Sequence, residues 1–381
     1  MRRALLAALA VTATALVPAA PAAAADPIRF ATFNASLNRP AEGELLADLS
    51  TPDDEQARAI AEVVQRTRPD VLLLNEFDHV AGGAAVDAFR RNYLAVGQRG
   101  ADPIHYPHAF TAPVNTGVQS GVDLNRDGEV GGPDDAHGFG QFPGQYGMVV
   151  LSKYPLGDVR TFQHFRWADL PGASWPDDPA TPEPGDWYSP EAKRVLRLSS
   201  KSHWDVPVRV GGKPVHFLVS HPTPPSFDGA EDRNGLRNAD EIRFWADYVT
   251  PGRSGYVHDD EGRRGGLAPG ARFVVAGDQN SDPVDGGSTG IRELLRAPRV
   301  IDPLPASLGG ARASQEQGGA NDQHRGLSVF DTADFADEAP GNLRVDYVLP
   351  SLFPLRSGVF WPSGRLAEAS DHRLVWVDVL G

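Results

Sequence analysis

Arg272-Phe273-Val274-Val275-Ala276-Gly277-Asp278-Gln279-Asn280-Ser281-Asp282-Pro283 is the stretch on which the reading of this chain turns. Phe273 to Ala276 form a short apolar run of the kind that makes a buried strand, and the run stops at a glycine followed by Asp, Asn, Asp and Pro. Asp278 and Asn280, two residues apart, project to one side of an extended segment and set a carboxylate beside an amide. Loops that leave a rigid strand end often carry chemistry. The same residues also suit an Asx-turn that merely closes the strand. Other stretches of the same design decide between the two.

Such stretches recur along the chain. Pro27 to Asn34 alternates polar and apolar residues and reads as a first strand ending on an amide. Asp53-Asp54-Glu55 opens a helix through Ala57, Ile60, Ala61, Val63 and Val64, with acids where the helix dipole favours them and a stop before Pro69. Asp70-Val71-Leu72-Leu73-Leu74-Asn75-Glu76 follows as a buried strand with Glu76 at its end. Further strands are predicted at 144–152, 193–200, 215–220, 343–349 and 373–379. A helix capped by Asn238, with Glu241 completing a capping box, is expected to run to about Tyr248.

Long connections rich in glycine, proline and acids separate these elements, at about 97–144, 163–192, 251–270 and 305–341. With 40 Gly and 33 Pro in 381 residues, loops of this extent are expected. Neither an internal repeat nor a linker-like boundary divides the chain, so residues 26–381 read as one catalytic domain. Residues 1–25 read as a cleaved signal peptide: Met1-Arg2-Arg3, an apolar run from Ala4 to Val17, then small residues up to Ala25. The expected location is therefore secreted, with no stable membrane insertion and no protein partner indicated.

Cysteine is absent, which excludes disulfides, thiolate metal sites and a cysteine nucleophile. The formal net charge is −14, and loss of Arg2 and Arg3 with the signal peptide leaves about −16. An acidic surface disfavours tight non-specific binding of nucleic acid. It does not exclude catalysis on phosphates, because a divalent cation neutralises a local acidic site.

The polar residues at the strand ends form one set: Asn34, Glu76, His221, Asp278 with Asn280, Asp346, and Asp371 with His372. Each alone suits a turn or a cap. Together they suit a hydrolytic site, with carboxylates and amides for a hard cation such as Mg2+ or Mn2+ and two histidines for proton transfer near neutral pH.

In these motifs and their order the sequence resembles the endonuclease/exonuclease/phosphatase superfamily, which includes deoxyribonuclease I. The stretches that carry the resemblance are Thr32-Phe33-Asn34, Pro69 to Glu76, Gly147 to Pro155, Val219-Ser220-His221, Gly277 to Pro283, Arg344 to Val348 and Ser370-Asp371-His372. The resemblance implies a four-layer α/β sandwich, two mixed sheets face to face with helices outside. It implies Glu76 as the main metal ligand, with Asn34 and Asp371 completing or flanking the site. Asp278, beside Asn280, would position and deprotonate the attacking water or bind the phosphate. His221 would act as general acid or stabilise the leaving oxygen, and His372, held by Asp346, would contact the phosphoryl oxygens. Gln279 departs from the family's usual aromatic at its position.

The implied activity is a metal-dependent phosphoesterase acting on phosphate mono- or diesters. A DNase I-like nuclease and a sphingomyelinase-like phospholipid phosphodiesterase are the alternatives within the class. A non-catalytic extracellular binding module stabilised by Ca2+ is the alternative outside it. No exposed aromatic hairpin of the kind sphingomyelinases use on membranes is evident, and Trp361 beside Phe360 is the nearest stretch to one.

Two further features stand apart. Asp123, Asn125, Asp127 and Glu129, with Gly128 and a later Asp134, match the start of a Ca2+ loop, with alternating oxygen ligands and a glycine at the sharp turn. Arg194, Lys201, His203 and Arg233 lie near the His221 strand in sequence, where cations bind phosphate charge on a substrate or form local ion pairs.

Overall fold

In this computed structural model residues 26–380 are described, apart from Ser288, and the expected signal peptide lies outside the described residues. The expected strand–helix–strand opening is present. β1 (Pro27–Leu37) leads through α1 (Glu44–Leu49) and α2 (Glu55–Thr67) to β2 (Val71–Phe77), which pairs parallel to β1. Asp54 caps α2 by accepting the Ala57 N–H at 2.7 Å, and Arg68 ends it in the left-handed region just before Pro69. A second crossover has the same form. β7 (Lys213–Ser220) leads through α5 (Arg233–Val249) to a parallel partner, β8 (Arg272–Asp278).

Each parallel pair lies inside its own mixed sheet. The first sheet adds β3 (His108–Phe110), β4 (Met148–Ser152), β10 (Pro354–Phe360) and β11 (Leu374–Leu380), in the order β10-β11-β1-β2-β4-β3. The second adds β5 (Arg160–Thr161), β6 (His203–Val210) and β9 (Asp346–Pro350), in the order β5-β6-β7-β8-β9.

The sheets pack face to face through a dry layer. Ile28, Phe30, Val71, Leu73, Val375 and Val377 of one sheet meet Val206, Val215, Phe217, Val219, Val274, Ala276 and Val348 of the other. Each such side chain contributes about 1.5–3 kcal/mol on full burial. The alternate residues point outward. Ala31, Phe33, Leu72 and Leu74 meet α1, α2 and α3 (Ala84–Phe89), while Leu218, Phe273 and Val275 meet α5 and α6 (Thr289–Arg296). The result is the expected four-layer α/β sandwich.

Several local expectations need correction. Residues 193–200 are not a strand: Ser189 caps α4 (Pro190–Val195) by accepting the Ala192 N–H, and the chain then runs irregularly to β6. β6 holds Pro207, which argues against an interior strand. The residue is tolerated because β5 pairs only as far as Asp205, so no ladder partner needs the missing N–H.

α5 starts at Arg233, five residues before the expected cap. Asn238 lies inside it and donates to the carbonyls of Thr223 and Gln279 at 2.8 and 2.9 Å. Of the long connections, 97–144 supplies β3 and 305–341 supplies α7 (Leu308–Gln317), while α8 (Arg365–Glu368) precedes the final strand. The 163–192 connection is partly interior, since Phe165, Trp167, Leu170 and Tyr188 pack into the α5 layer.

Candidate active site

The register of the strands builds the site. Residues 28 and 30 of β1 face the inter-sheet layer, so Asn34 continues that face, as Asn75 continues Val71 and Leu73. By the same alternation His221 continues Val215, Phe217 and Val219, and Asp278 continues Val274 and Ala276. At one end, therefore, the dry layer between the sheets turns polar, with groups from both parallel pairs. Asn75 Oδ1 accepts the Asp278 N–H at 3.2 Å and ties one sheet to the other there.

Gly277 makes this approach available. Its φ is +141°, and a Cβ there would sit 2.0 Å from the Ser220 carbonyl oxygen. No side chain fits.

Asp278 is the hub. One carboxylate oxygen, Oδ2, accepts from Asn34 Nδ2 at 3.1 Å and lies 3.4 Å from His221 Nε2 and 3.5 Å from His372 Nε2. The other, Oδ1, accepts the Asn280 N–H at 2.8 Å. Burial opposes its charge, but His372, His221 and the Asn280 amide outweigh burial and hold its carboxyl well below the usual range. Behind it, His372 Nδ1 lies 2.8 Å from Asp346 Oδ2, the oxygen to which Thr332 Oγ1 donates at 2.9 Å. Burial works against a charged His372, yet Asp346 and Asp278 on its two sides raise its pKa. Burial raises Asp346 as well, with His372 opposing.

His221 has the opposite character. Burial, with the nearby Lys201 ammonium, lowers its pKa against the pull of Asp278, so it stands neutral at neutral pH. Its Nδ1 is buried without a hydrogen-bond partner among the described residues.

The second group lies beside this network. Asn34 Nδ2 also donates to Glu76 Oε1 at 3.0 Å, and Asn38 Nδ2 donates to Glu76 Oε2 at 2.9 Å. No basic side chain among the described residues pairs with Glu76 within 4.0 Å. Exposed Asp371 joins the group through Ser36, whose hydroxyl lies 3.4 Å from its carboxylate, and Ser370 Oγ donates to the Asn34 carbonyl at 2.7 Å.

Two places could hold a cation. Atoms of Asp278, Asp346 and His372 lie within 4.8 Å of one another, but these groups already compensate each other as carboxylate, imidazole and carboxylate. Glu76 and Asp371 offer hard oxygens with unbalanced negative charge, which suits a divalent ion better, while Asn34 faces Glu76 with Nδ2 and its Oδ1 accepts the Ser36 N–H at 3.2 Å.

The structure brings together Asn34, Glu76, His221, Asp278, Asn280, Asp346, Asp371 and His372. Asn280 is part-exposed, with Nδ2 on the Pro222 carbonyl at 3.2 Å. Of the four nominated basic residues, three are placed elsewhere. Arg194 is exposed on α4, and Arg233 pairs with Glu231. His203 is a core residue, with Ser199 Oγ 2.5 Å from Nδ1 and the Glu241 carbonyl 2.8 Å from Nε2. Only Lys201 lies close enough to the site to act on the charge state of His221. Asn38, Asn75, Thr332 and Glu241 were not anticipated. Asn75 had a usable signal, its phase with Val71 and Leu73, whereas the other three act across long sequence separations.

The loop at 123–135 folds as a succession of Asx-turns. Asp123 accepts from Arg126 N and Gly128 N, Asn125 from Asp127 N, and Asp127 from Glu129 N. Asp134 is exposed, and the acid that closes the loop is its buried neighbour Asp135, which accepts from Leu124 N and Gly131 N. Trp361 packs against Arg373. No helix among the described residues is long and apolar enough to cross a membrane.

The sequence model of the endonuclease/exonuclease/phosphatase family matches residues 31–372. The chain belongs to that family. It is accordingly a hydrolase of phosphate esters, which sets aside the binding-module alternative. Among solved structures, an endonuclease/exonuclease/phosphatase from Beutenbergia cavernae is 19% identical, with 93% of this chain and 72% of that one covered and a TM-score of 0.49. Sphingomyelinase C from Streptomyces griseocarneus is 15% identical, with 93% and 99% covered and a TM-score of 0.44. A beta toxin variant from Staphylococcus aureus with bound magnesium ions is 14% identical, with 92% and 99% covered and a TM-score of 0.46. A comparison with curated proteins gives no match.

Proposed function

We propose that this family member is an exported, divalent-metal-dependent phosphoesterase whose substrates are small phosphate mono- or diesters. The observation that carries the reading is the meeting, at one end of the sandwich, of an imidazole–carboxylate network centred on Asp278 with an uncompensated acidic group centred on Glu76. Export rests on the charged, apolar and small-residue pattern of residues 1–25. The preference for small esters rests on the net charge of −14 and the lack of a basic stripe in the sequence.

Asn34, Glu76 and Asp371 would hold Mg2+ or Mn2+. A cation bound there supplies Lewis-acid withdrawal of charge from the phosphate oxygens. The protein's own groups do the rest. His372, cationic between two carboxylates, faces developing negative charge on the phosphoryl group. Asp278, with a low pKa, is a poor proton store and acts chiefly by orienting the attacking water and the two imidazoles. His221, neutral, serves the leaving oxygen. Asn280, anchored to Pro222, lines the site beside Asp278.

The test is hydrolysis by the mature protein of bis(p-nitrophenyl) phosphate, p-nitrophenyl phosphate, plasmid DNA and sphingomyelin, with Mg2+, Mn2+ or chelator. Turnover is expected on the nitrophenyl esters, abolished by chelator and reduced at least about 100-fold in His221→Ala and Asp278→Ala with folding retained. A mutant that keeps a near-normal rate overturns the site assignment. Turnover confined to DNA or sphingomyelin keeps the site and overturns the substrate class.

A further inference from the structure

We infer that Lys201 is the anion anchor of this site: the ammonium of this mostly buried side chain takes the phosphate oxygen nearest His221, and its place in the structure is set by that ligand and not by an internal ion pair. The inference rests on the phosphoesterase reading above.

The chain has four lysines, and three have ordinary settings. Lys153 pairs with Asp70 at 2.9 Å, Lys193 bonds the Gly185 carbonyl beside Trp175, and Lys213 is exposed at a hairpin. Lys201 is only 6% exposed, and among the described residues its ammonium makes no hydrogen bond within 3.5 Å and no ion pair within 4.0 Å. The side chain is mostly shielded from water while its ammonium reaches the cleft with no counter-ion, an arrangement that is costly unless something meets the charge.

Its backbone is held firmly. The Lys201 carbonyl accepts the Asn115 N–H at 2.9 Å, and the preceding Ser200 N–H donates to Glu241 Oε1 at 2.7 Å. His203 pairs with Ser220, so Lys201 and His221 leave the β6–β7 ladder at the same end. The Lys201 ammonium lies near enough to Glu241, Glu76, Asp278 and Arg237 to feel their charges.

Glu241 is the obvious internal partner, and it is committed elsewhere. Its two oxygens accept Ser200 N at 2.7 Å and Thr223 N at 2.6 Å, so it clamps together the loops that carry Lys201 and His221. Arg237, the other buried cation nearby, is spent on the carbonyls of Leu198, His137 and Arg197. That leaves Lys201 as the free donor beside His221. A point charge with three donors suits the oxygen of a phosphate.

The experiment compares wild type, Lys201→Met and Lys201→Arg by steady-state hydrolysis of bis(p-nitrophenyl) phosphate, by inhibition with inorganic phosphate and by thermal unfolding. The inference expects Lys201→Met to raise KM and the phosphate inhibition constant tenfold or more, to lower kcat less, and to leave Tm unchanged or higher. Lys201→Arg should recover part of the phosphate affinity. A Lys201→Met protein with unaltered phosphate inhibition overturns the inference, as does a fall in Tm in both variants with phosphate inhibition retained. If Lys201→Met does not fold, Lys201→Arg decides: a phosphate inhibition constant raised threefold or more supports the anchor, and an unchanged inhibition constant overturns it. A wild-type protein that neither hydrolyses the ester nor responds to phosphate removes the phosphoesterase reading itself, and the inference falls with it.

Discussion

Glu76 stands at φ +56°, a left-handed backbone that costs a non-glycine residue about 1–2 kcal/mol. Nothing in the packing requires glutamate there. It is part-exposed, and its carboxylate receives two amides and no cation. A bound divalent cation, as proposed, would account for a strained residue kept with an uncompensated charge. Glu76→Gln preserves the shape and removes the charge, so Tm should move by less than about 2 °C, the shift of roughly 1 kcal/mol in a domain of this size. Isothermal titration with Mn2+ should lose the site, and kcat/KM with Mg2+ should fall by about 100-fold or more. A large fall in Tm with Mn2+ binding intact would return Glu76 to the scaffold. At this scale the sequence was most informative about residues at the tips of clear strands, because alternation fixes their side: Asn34, His221 and Asp278 each extend an apolar series that faces the other sheet. It was least informative about Thr332 and Asn38, whose partners Asp346 and Glu76 lie 14 and 38 residues away across loops of no fixed period.

Among the elements, the loop at 123–135 and the hairpin of β6 and β7 show how far local pattern reaches. In the loop, Asp123, Asn125 and Asp127 already turn their oxygens toward the backbone of one tight coil, and Asp135 closes it from below. Extracellular Ca2+ modules in general bind at about 0.1–1 mM. With Mg2+ saturating, ~5 mM Ca2+ should raise Tm by about 2 °C or more in wild type and leave the Asp123→Ala, Asp127→Ala double variant unmoved, with hydrolysis unaffected in both. A Ca2+ response that survives in the double variant would exclude the loop. The spacing of oxygens was legible here, but the choice of Asp135 over Asp134 was not, because a short 3-10 turn at Pro133–Asp135 decides which of the two faces inward. β6 was displaced for a related reason. Arg194 to Ser200 alternates like a strand, yet Ser189 and Pro190 start a helix, and the true strand contains a proline. α5 began early because Asn238 and Glu241, which look like a capping box, are spent on the loops after β7 and β8 and on Ser200.

Across the whole molecule, groups buried in unfavourable charge states shape stability against pH. Burial, with Arg197 and Arg237, pushes His137 down to about 3, and burial, against its bond to the Glu241 carbonyl, pushes His203 down to about 4. On unfolding both return to about 6.5. The unfolded chain then binds more protons, so their contribution is whole above about pH 6.5 and is lost as pH falls from there through 4 and 3. Asp331 has the opposite sign. Burial, then Asp282 and Asp285 across from it, raise its pKa from 3.8 to about 8, and Arg325 offers Asp285 only a 3.9 Å contact in compensation. Here the folded chain keeps the proton, so its contribution is present below about pH 4 and is lost as pH rises through 8. Between about pH 4 and 6.5 two rising contributions oppose one falling one, and above 6.5 only the falling one remains. From these three groups Tm should peak near pH 6.5. Asp331→Asn isolates the upper limb, because an amide there cannot ionise. Thermal unfolding at pH 5, 6.5 and 8.5 should show the variant's advantage over wild type widening with pH, by about 4–8 °C between pH 5 and pH 8.5. Equal Tm at pH 8.5 would mean that Asp331 is ionised in the folded protein with a partner that offsets Asp282 and Asp285.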